Sequence, residues 1–238
     1  MQRPVAIRLL ALLVALFGVN ITGVMGQVAA SANVGIDHLI LGVDDLERGM
    51  AEFARRTGVT PVKGGVHPGR GTQNALVSLG EGRYLEILAP SHEPGAPIDR
   101  GTTFAALTPV GWALHTDDLP AMVAAMRAAI ISVSDIRPGA RARPDGARLE
   151  WQTASVTGVG LEMAPFFIAW GRGTPHPSSE SPTGCRLMRV AMAEPSPDAL
   201  QRFLDVSGVD VRVMTADTAG MTVVLQCPTG EVTFQSAN

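Results

Sequence analysis

Ile36-Asp37-His38-Leu39-Ile40-Leu41-Gly42-Val43-Asp44-Asp45-Leu46 joins an apolar run to a helix start, and the same pattern returns further along the chain. The run 36–43 reads as a strand. Asp44 and Asp45 can offer carboxylate oxygens to the free N–H groups of a first helical turn. Beyond them Leu46, Met50, Phe53 and Ala54 fall on one apolar stripe, and Gly58 ends the helix. A second strand near 59–63 leads into a glycine-rich loop, Gly64 to Gly71. Residues 74–79, the turn Gly80-Glu81-Gly82 and residues 83–88 then make a hairpin. The order of this unit is β-α-β-β-β.

A second unit opens at Gly111-Trp112-Ala113-Leu114-His115-Thr116-Asp117-Asp118-Leu119, where Asp117-Asp118-Leu119 repeats Asp44-Asp45-Leu46. Met122, Met126 and Ile130 carry its helical stripe. A polar Arg/Pro/Gly loop, 137–146, separates that helix from strands at 148–154 and 161–170. A third unit begins with a strand at 187–193 and a helix entered through Ser196-Pro197. Leu200, Phe203 and Leu204 line that helix, and strands follow at 209–214, 221–227 and 231–235. The reading is α+β, from tandem βαβββ modules. Two modules, 34–90 and 110–170, form a domain over 34–170. A Pro/Ser/Gly-rich linker spans 171–185, and a third βαβββ-like unit spans 186–236. Alternating strands such as Val209, Val211 and Val213 leave this third unit an apolar face. Helix 197–206 is expected to cover one side and a neighbouring subunit the other, which makes a homodimer the expected assembly.

Composition excludes several functions. The formal charge is −3, there is a single Lys, and aromatic residues are 5% of the chain. Neither a basic stripe nor a set of stacking platforms for nucleic acid is present. Residues 1–30 read as a signal peptide: Arg3 and Arg8 precede an uninterrupted apolar run from Leu9 to Val19, and small residues follow around Ala30. Export to the periplasm or beyond is the expectation. An uncleaved anchor and a start at Met25 are the alternatives. Cys185 and Cys227 are the only cysteines. One disulfide in an oxidising compartment and two buried thiols are both open readings.

Several motifs then carry a resemblance. They are His38 on the first strand, His67-Pro68-Gly69-Arg70-Gly71-Thr72, Tyr84-Leu85-Glu86, and Thr116-Asp117-Asp118-Leu119. Arg143-Pro144-Asp145-Gly146 with Trp151, and Pro165-Phe166-Phe167-Ile168 ahead of Trp170, complete the set. In this order they resemble the glyoxalase-like domain family of the vicinal oxygen chelate (glyoxalase/bleomycin resistance/extradiol dioxygenase) superfamily. The resemblance implies paired modules forming a cupped sheet. It implies a divalent metal (Fe, Mn, Ni or Zn) held by the first and last strands of each module, with a substrate's vicinal oxygens bound there. Lyase, isomerase or dioxygenase-like chemistry would follow. A non-catalytic protein sequestering a small molecule in the same cup is the alternative.

On this footing His38 and Glu86 are the expected metal ligands, with His115 or His67 as the third. Glu86 and His67 are the expected catalytic groups, and Arg70, Trp112 and Phe167 the expected substrate-binding residues. Each has a plainer reading. His38 is equally a core histidine paired with Asp37 or Glu86, Glu86 a solvent-facing residue of an alternating strand, and His67 with Arg70 a surface hairpin. The second module departs from the family pattern. Seven residues before Asp45 lies His38, whereas seven before Asp118 lies Gly111, and Phe166-Phe167-Ile168 stands where a carboxylate is wanted. His92 and His176 are read as structural.

Overall fold

Two short sequence signals start the first two helices as expected. Asp45 accepts a hydrogen bond from Arg48 N at 2.8 Å, and Asp118 accepts one from Ala121 N at 2.9 Å. Each satisfies an N–H that has no partner within its helix. The computed structural model describes residues 33–91, 104–142 and 146–236. The segment 1–30, His92 and Arg143-Pro144-Asp145 lie outside these residues.

The first module comprises β1 (Gly35–Gly42), α1 (Leu46–Thr57), β2 (Val62–His67), β3 (Thr72–Gly80) and β4 (Arg83–Pro90). The second comprises β5 (Thr108–His115), α2 (Leu119–Ala128), β6 (Arg137–Ala142), β7 (Arg148–Ser155) and β8 (Phe166–Trp170). Together they form an eight-stranded sheet in the order β2-β3-β4-β1-β5-β8-β7-β6. In each module the first strand pairs in parallel with the last, and β1 and β5 join the modules antiparallel.

Two stretches expected as loops are strands. β2 extends through Gly64-Gly65 to His67, and β6 occupies most of the stretch 137–146. Both are edge strands, where Pro138 loses no ladder partner and glycine is tolerated. Their lack of alternating apolar residues hid them. The two edges also meet. The Arg141 guanidinium donates to the Gly64 carbonyl, and a Cβ at Gly65 would lie 2.9 Å from Ala142 O. The sheet thus curls until its first and last strands touch, enclosing a cup.

The two faces of this sheet differ in character. Leu39, Leu41, Leu85, Ile87, Trp112, Leu114 and Phe167 point away from the cup into one continuous apolar core. His38, Ile40, Glu86, Phe166, Ile168 and Trp170, offset by one residue on the same strands, line the cup.

The third unit contains β9 (Arg186–Glu194), α3 (Pro197–Ser207), β10 (Arg212–Thr215), β11 (Gly220–Cys227) and β12 (Gly230–Gln235). Its chain order is β-α-β-β-β as read, but its sheet order is β10-β9-β11-β12. The first strand therefore pairs with the second rather than with the last, so this unit is not a third copy of the module. Its apolar residues merge with the main core: Phe234 stacks on Phe53 at 5.7 Å between centroids, and Phe203 lies 5.6 Å from Phe167. The sheet of this unit packs on β5 and α1 of the same chain, and its helix α3 packs on α2. Cys185 and Cys227 form a disulfide across a separation of 42 residues. Closing a loop of that length restricts the unfolded chain by roughly 4 kcal/mol.

Candidate active site

A bulge begins the site. Cα pairing between β1 and β5 shifts register between Ile36 and His38. Neighbours on a regular strand point to opposite faces, but here Asp37 and His38 meet, with Asp37 Oδ1 2.6 Å from His38 Nδ1. Both side chains are buried. Asp37 Oδ2 accepts from Trp170 Nε1 at 2.9 Å and from His176 Nε2 at 3.2 Å. Ser178 N–H donates to His176 Nδ1, which leaves the ring proton on Nε2 for Asp37. Burial alone would raise the Asp37 pKa. The hydrogen bonds from His176 and His38 and the fields of both rings more than offset it, holding the carboxyl far below the usual range.

With Nδ1 engaged by Asp37, His38 presents Nε2 to the cup. Tyr84 stacks on the His38 ring at 4.5 Å and Phe166 meets its edge at 5.5 Å, which fixes the plane. Burial and the charges of Asp37 and Glu86 keep the Tyr84 hydroxyl protonated, well above its ordinary value. Glu86 Oε2 lies 3.7 Å from His38 Nε2, too far for a hydrogen bond. Its other oxygen, Oε1, accepts from Asn74 Nδ2 at 2.6 Å. Asn74 Nδ2 also stands 3.3 Å from His67 Nε2, while His67 Nδ1 is 2.9 Å from Thr72 Oγ1. Burial first, then Arg141, Arg70 and His38, lower the His67 pKa against the opposing field of Glu86.

These groups line a cavity of about 160 Å³. Its first wall is polar, built from His38, His67, Thr72, Asn74 and Glu86. The opposite wall comes from the second module: Trp151, Thr153, Phe166, Ile168 and Trp170. Gly139 makes room for one of these, since a Cβ there would sit 2.3 Å from Trp151 Nε1.

The structure brings His38, Glu86, His67 and Arg70 to one cavity. It separates the other expected site residues from them. His115 packs over Gly35 and lines a neighbouring depression beside Asp117 and His176, away from the His38–Glu86 pair. Trp112 is on the core face and donates from Nε1 to Met163 O at 2.8 Å. Phe167 is fully buried in the core, and its neighbour Phe166 faces the cavity instead. Both assignments fail by one residue of strand register. Asn74, Arg141 and His176 join the site unannounced, whereas Asp37 is the partner that the plainer reading of His38 offered. For Asp37 the one sequence signal was its place beside His38. His176 reaches the site because the linker folds back over β3 and β4, which sets its ring beside Tyr84 and Asp37.

The donors were compared with what a resident metal needs. Three or four converging protein ligands are usual. Among the described residues no three His, Cys, Asp or Glu side chains converge on one point. Asn74 holds the Glu86 oxygen nearest His67, and His115 stands apart. The residues present offer two donors, His38 and Glu86, and do not form a closed metal centre.

The model of the glyoxalase-like domain family matches residues 36–207. No curated protein matches the chain. Among solved structures, a hypothetical protein from Staphylococcus aureus is similar with TM-score 0.58 and 18% identity, covering 85% of this chain and 85% of that one. A mutant 4-hydroxymandelate synthase from Streptomyces coelicolor is similar with TM-score 0.50 and 15% identity, covering 84% of this chain and 61% of that one. A Streptomyces coelicolor methylmalonyl-CoA epimerase variant, in complex with 2-nitronate-propionyl-CoA, has TM-score 0.41 and 18% identity, covering 56% of this chain and 95% of that one. At these identities the first two likenesses speak for the fold alone, and the family match spans the cup, the linker and α3. The chain belongs to the glyoxalase-like domain family.

Proposed function

We propose that this protein is a small-molecule enzyme that moves a proton on a substrate with vicinal oxygens, with Glu86 as the base and His38 as its partner. The observation that carries this reading is the 3.7 Å gap between His38 Nε2 and Glu86 Oε2. Neither atom has a hydrogen bond among the described residues, and both side chains line the cavity. A substrate C–H or O–H seated against both atoms from the cavity side would meet a carboxylate oxygen and an imidazole nitrogen at once. Glu86 Oε2 takes a proton from the carbon beside a carbonyl. Asn74 holds Oε1 so that Oε2 keeps its direction. His38 Nε2, bare because Nδ1–H faces Asp37, takes the proton of the neighbouring hydroxyl and returns it to the carbonyl oxygen, while Glu86 returns its proton to the adjacent carbon. The buried, largely apolar second wall keeps water from the carbanion.

The apolar wall of Trp151, Phe166, Ile168 and Trp170 favours a second reading, a binding protein that sequesters a small molecule. A metal-assisted form of the enzyme would rest on His38 and Glu86 and lacks a third converging donor. Deuterium exchange into a panel of α-hydroxy aldehydes and ketones tests the enzyme reading. Wild type should exchange at least one of them, and Glu86→Gln should lose 100-fold or more. No exchange by wild type, with intact ligand binding, would favour the binding protein. Metal analysis of the purified protein separates the metal-assisted form.

Export fits the same picture. The basic, apolar and small-residue segments of 1–30 support a cleaved signal, and a disulfide between Cys185 and Cys227 suits an oxidising compartment. The mature protein should begin near Ser31 or Asn33 on N-terminal sequencing. An intact Met1 in the cytoplasm overturns this.

A further inference from the structure

We propose that the mouth of the cup is an anion-binding subsite, built by Arg70 and Arg137 with the hydroxyls of Thr153 and Ser155, that takes a carboxylate or phosphoryl group of the substrate. This rests on the reading of the cup as a substrate site and names the class of substrate.

The second depression beside the cavity is lined by Arg70, Ser134, Arg137, Thr153, Ser155 and Phe166. It shares Arg70, Thr153 and Phe166 with the His38–Glu86 cavity, so the two are continuous. Strand register explains the cations. Arg137 pairs directly with Thr153, and Ala140 with Glu150, along β6 and β7. With period two, Arg137, Gly139 and Arg141 face the cup from β6, and Trp151, Thr153 and Ser155 face it from β7. The Trp151 indole lies over Gly139, between the two arginines. From the first module, Arg70 comes in on the β2–β3 turn, where Arg70 N donates to His67 O at 3.1 Å.

Neither Arg70 nor Arg137 has an ion-pair partner among the described residues, although Arg48, Arg56, Arg83, Arg127 and Arg148 each pair with a carboxylate. The Thr153 and Ser155 hydroxyls likewise make no hydrogen bond within the described residues. In a chain of net charge −3, two unpaired guanidinium groups and two free hydroxyls share one depression. A guanidinium offers parallel N–H donors that match the two oxygens of a carboxylate or phosphate. The depression adjoins the cavity that Glu86 lines, so an anion seated there would place the rest of a small substrate towards the His38–Glu86 pair. Repulsion from Glu86 would in turn keep the charged end out of the reacting position.

The test is titration of the mature protein with inorganic phosphate, with succinate and with a neutral diol, read by the fluorescence of Trp151 and Trp170. Phosphate or succinate should give saturable binding and the diol none, and whichever anion binds more tightly names the group. Arg137→Ala and Arg70→Ala should each weaken that anion roughly tenfold, the scale of one charge-assisted hydrogen bond. The double variant should lose saturation. Glu86→Gln removes the base of the proposed reaction and should bind the anion at least as tightly as wild type, so a failed subsite and a failed reaction are told apart. Equal affinity in wild type and the double variant, or anion binding no tighter than that of the diol, overturns the proposal.

Discussion

In the first module β1 and β4 face the cup with His38 and Glu86. In the second, β5 and β8 face it with Gly111 and Phe166 at the corresponding places. The correspondence follows from the caps and the register. His38 and Gly111 each stand seven residues before a capping aspartate, and the parallel pairs Ile40 with Glu86 and Ala113 with Phe166 match. The scaffold is duplicated while the chemistry is not. One module supplies ionisable groups with tightly specified partners, and the other supplies aromatic and aliphatic surface with arginines at its edge. A cup with one reactive wall can hold a substrate by its apolar side and its charge while only one end is exposed to proton transfer.

Replacing matched positions in the two walls gives the largest expected contrast. Glu86→Gln should lower kcat by a factor of roughly 10²–10⁴, the scale of a general base. Phe166→Ala should act mainly on KM, by less than about tenfold, since it removes binding surface and one edge contact of a His38 ring that Tyr84 and Asp37 still hold. Similar losses from both variants would mean that the walls are not divided in this way.

Asp37 comes next. It is 1% exposed and accepts from His38, Trp170 and His176. Asp37→Asn leaves donors facing an amide inside the protein. It should cost about 3 kcal/mol of stability, as loss of one member of a buried ionic network does. It should also lower kcat about 10- to 100-fold, because His38 loses its preferred tautomer. The depressed pKa sets the pH dependence. The carboxylate's contribution is complete above its ordinary value near 3.8 and is lost only as pH falls through the much lower folded value. Mild acid should therefore not reproduce the variant. A wild-type stability loss at pH 5 equal to that of Asp37→Asn would overturn this assignment.

These two expectations also mark how far the sequence could be read. The strand–cap–stripe pattern of 36–54 recurs at 111–126, and both β-α starts follow from it. Glu86 and His38 followed from the family resemblance, which implies ligands on the first and last strands of a module. What failed had a common cause, since side chains on a strand change face with each residue. Trp112 and Phe167 were one residue from the cup, and Phe166 took the place given to Phe167. The bulge at Ile36–His38, which brings Asp37 against His38, leaves no trace in hydropathy. β6 and the second half of β2 are edge strands without apolar alternation, and their contact across the cup mouth is a long-range event. The third unit has the right chain order and a different strand order, because hydropathy gives the faces of strands and not their neighbours.

The seam between the modules provides an intermediate effect. Gly65 has φ near +135°, and a Cβ would meet the Ala142 carbonyl, a backbone atom that cannot rotate aside. Gly65→Ala should cost about 1–3 kcal/mol through backbone strain and separation of β2 from β6. Because the seam closes the cup, KM should rise while the remaining activity keeps its pH profile. Thermal unfolding and steady-state kinetics check both. Gly69→Ala, also at positive φ (73°) but with open space around it, is the control for a left-handed backbone without the contact.

The smallest effect crosses from one wall to the other. His67 belongs to the first module, yet Arg141 of the second helps to lower its pKa, together with burial and Arg70. A depressed histidine is more readily protonated in the unfolded chain. The unfolded state therefore takes up more protons as pH falls through 6.5, and the folded state loses stability over that interval. Arg70→Ala removes one repelling charge and should move the His67 midpoint upward, lessening the acid loss. Arg70 is exposed and screened, so the change in stability should stay below about 1 kcal/mol and shrink in high salt. Nuclear magnetic resonance titration of the His67 ring measures the midpoint directly. An unchanged or lower midpoint in Arg70→Ala would show that Arg70 does not face the cup, and would separate the hairpin from the polar wall it is taken to complete.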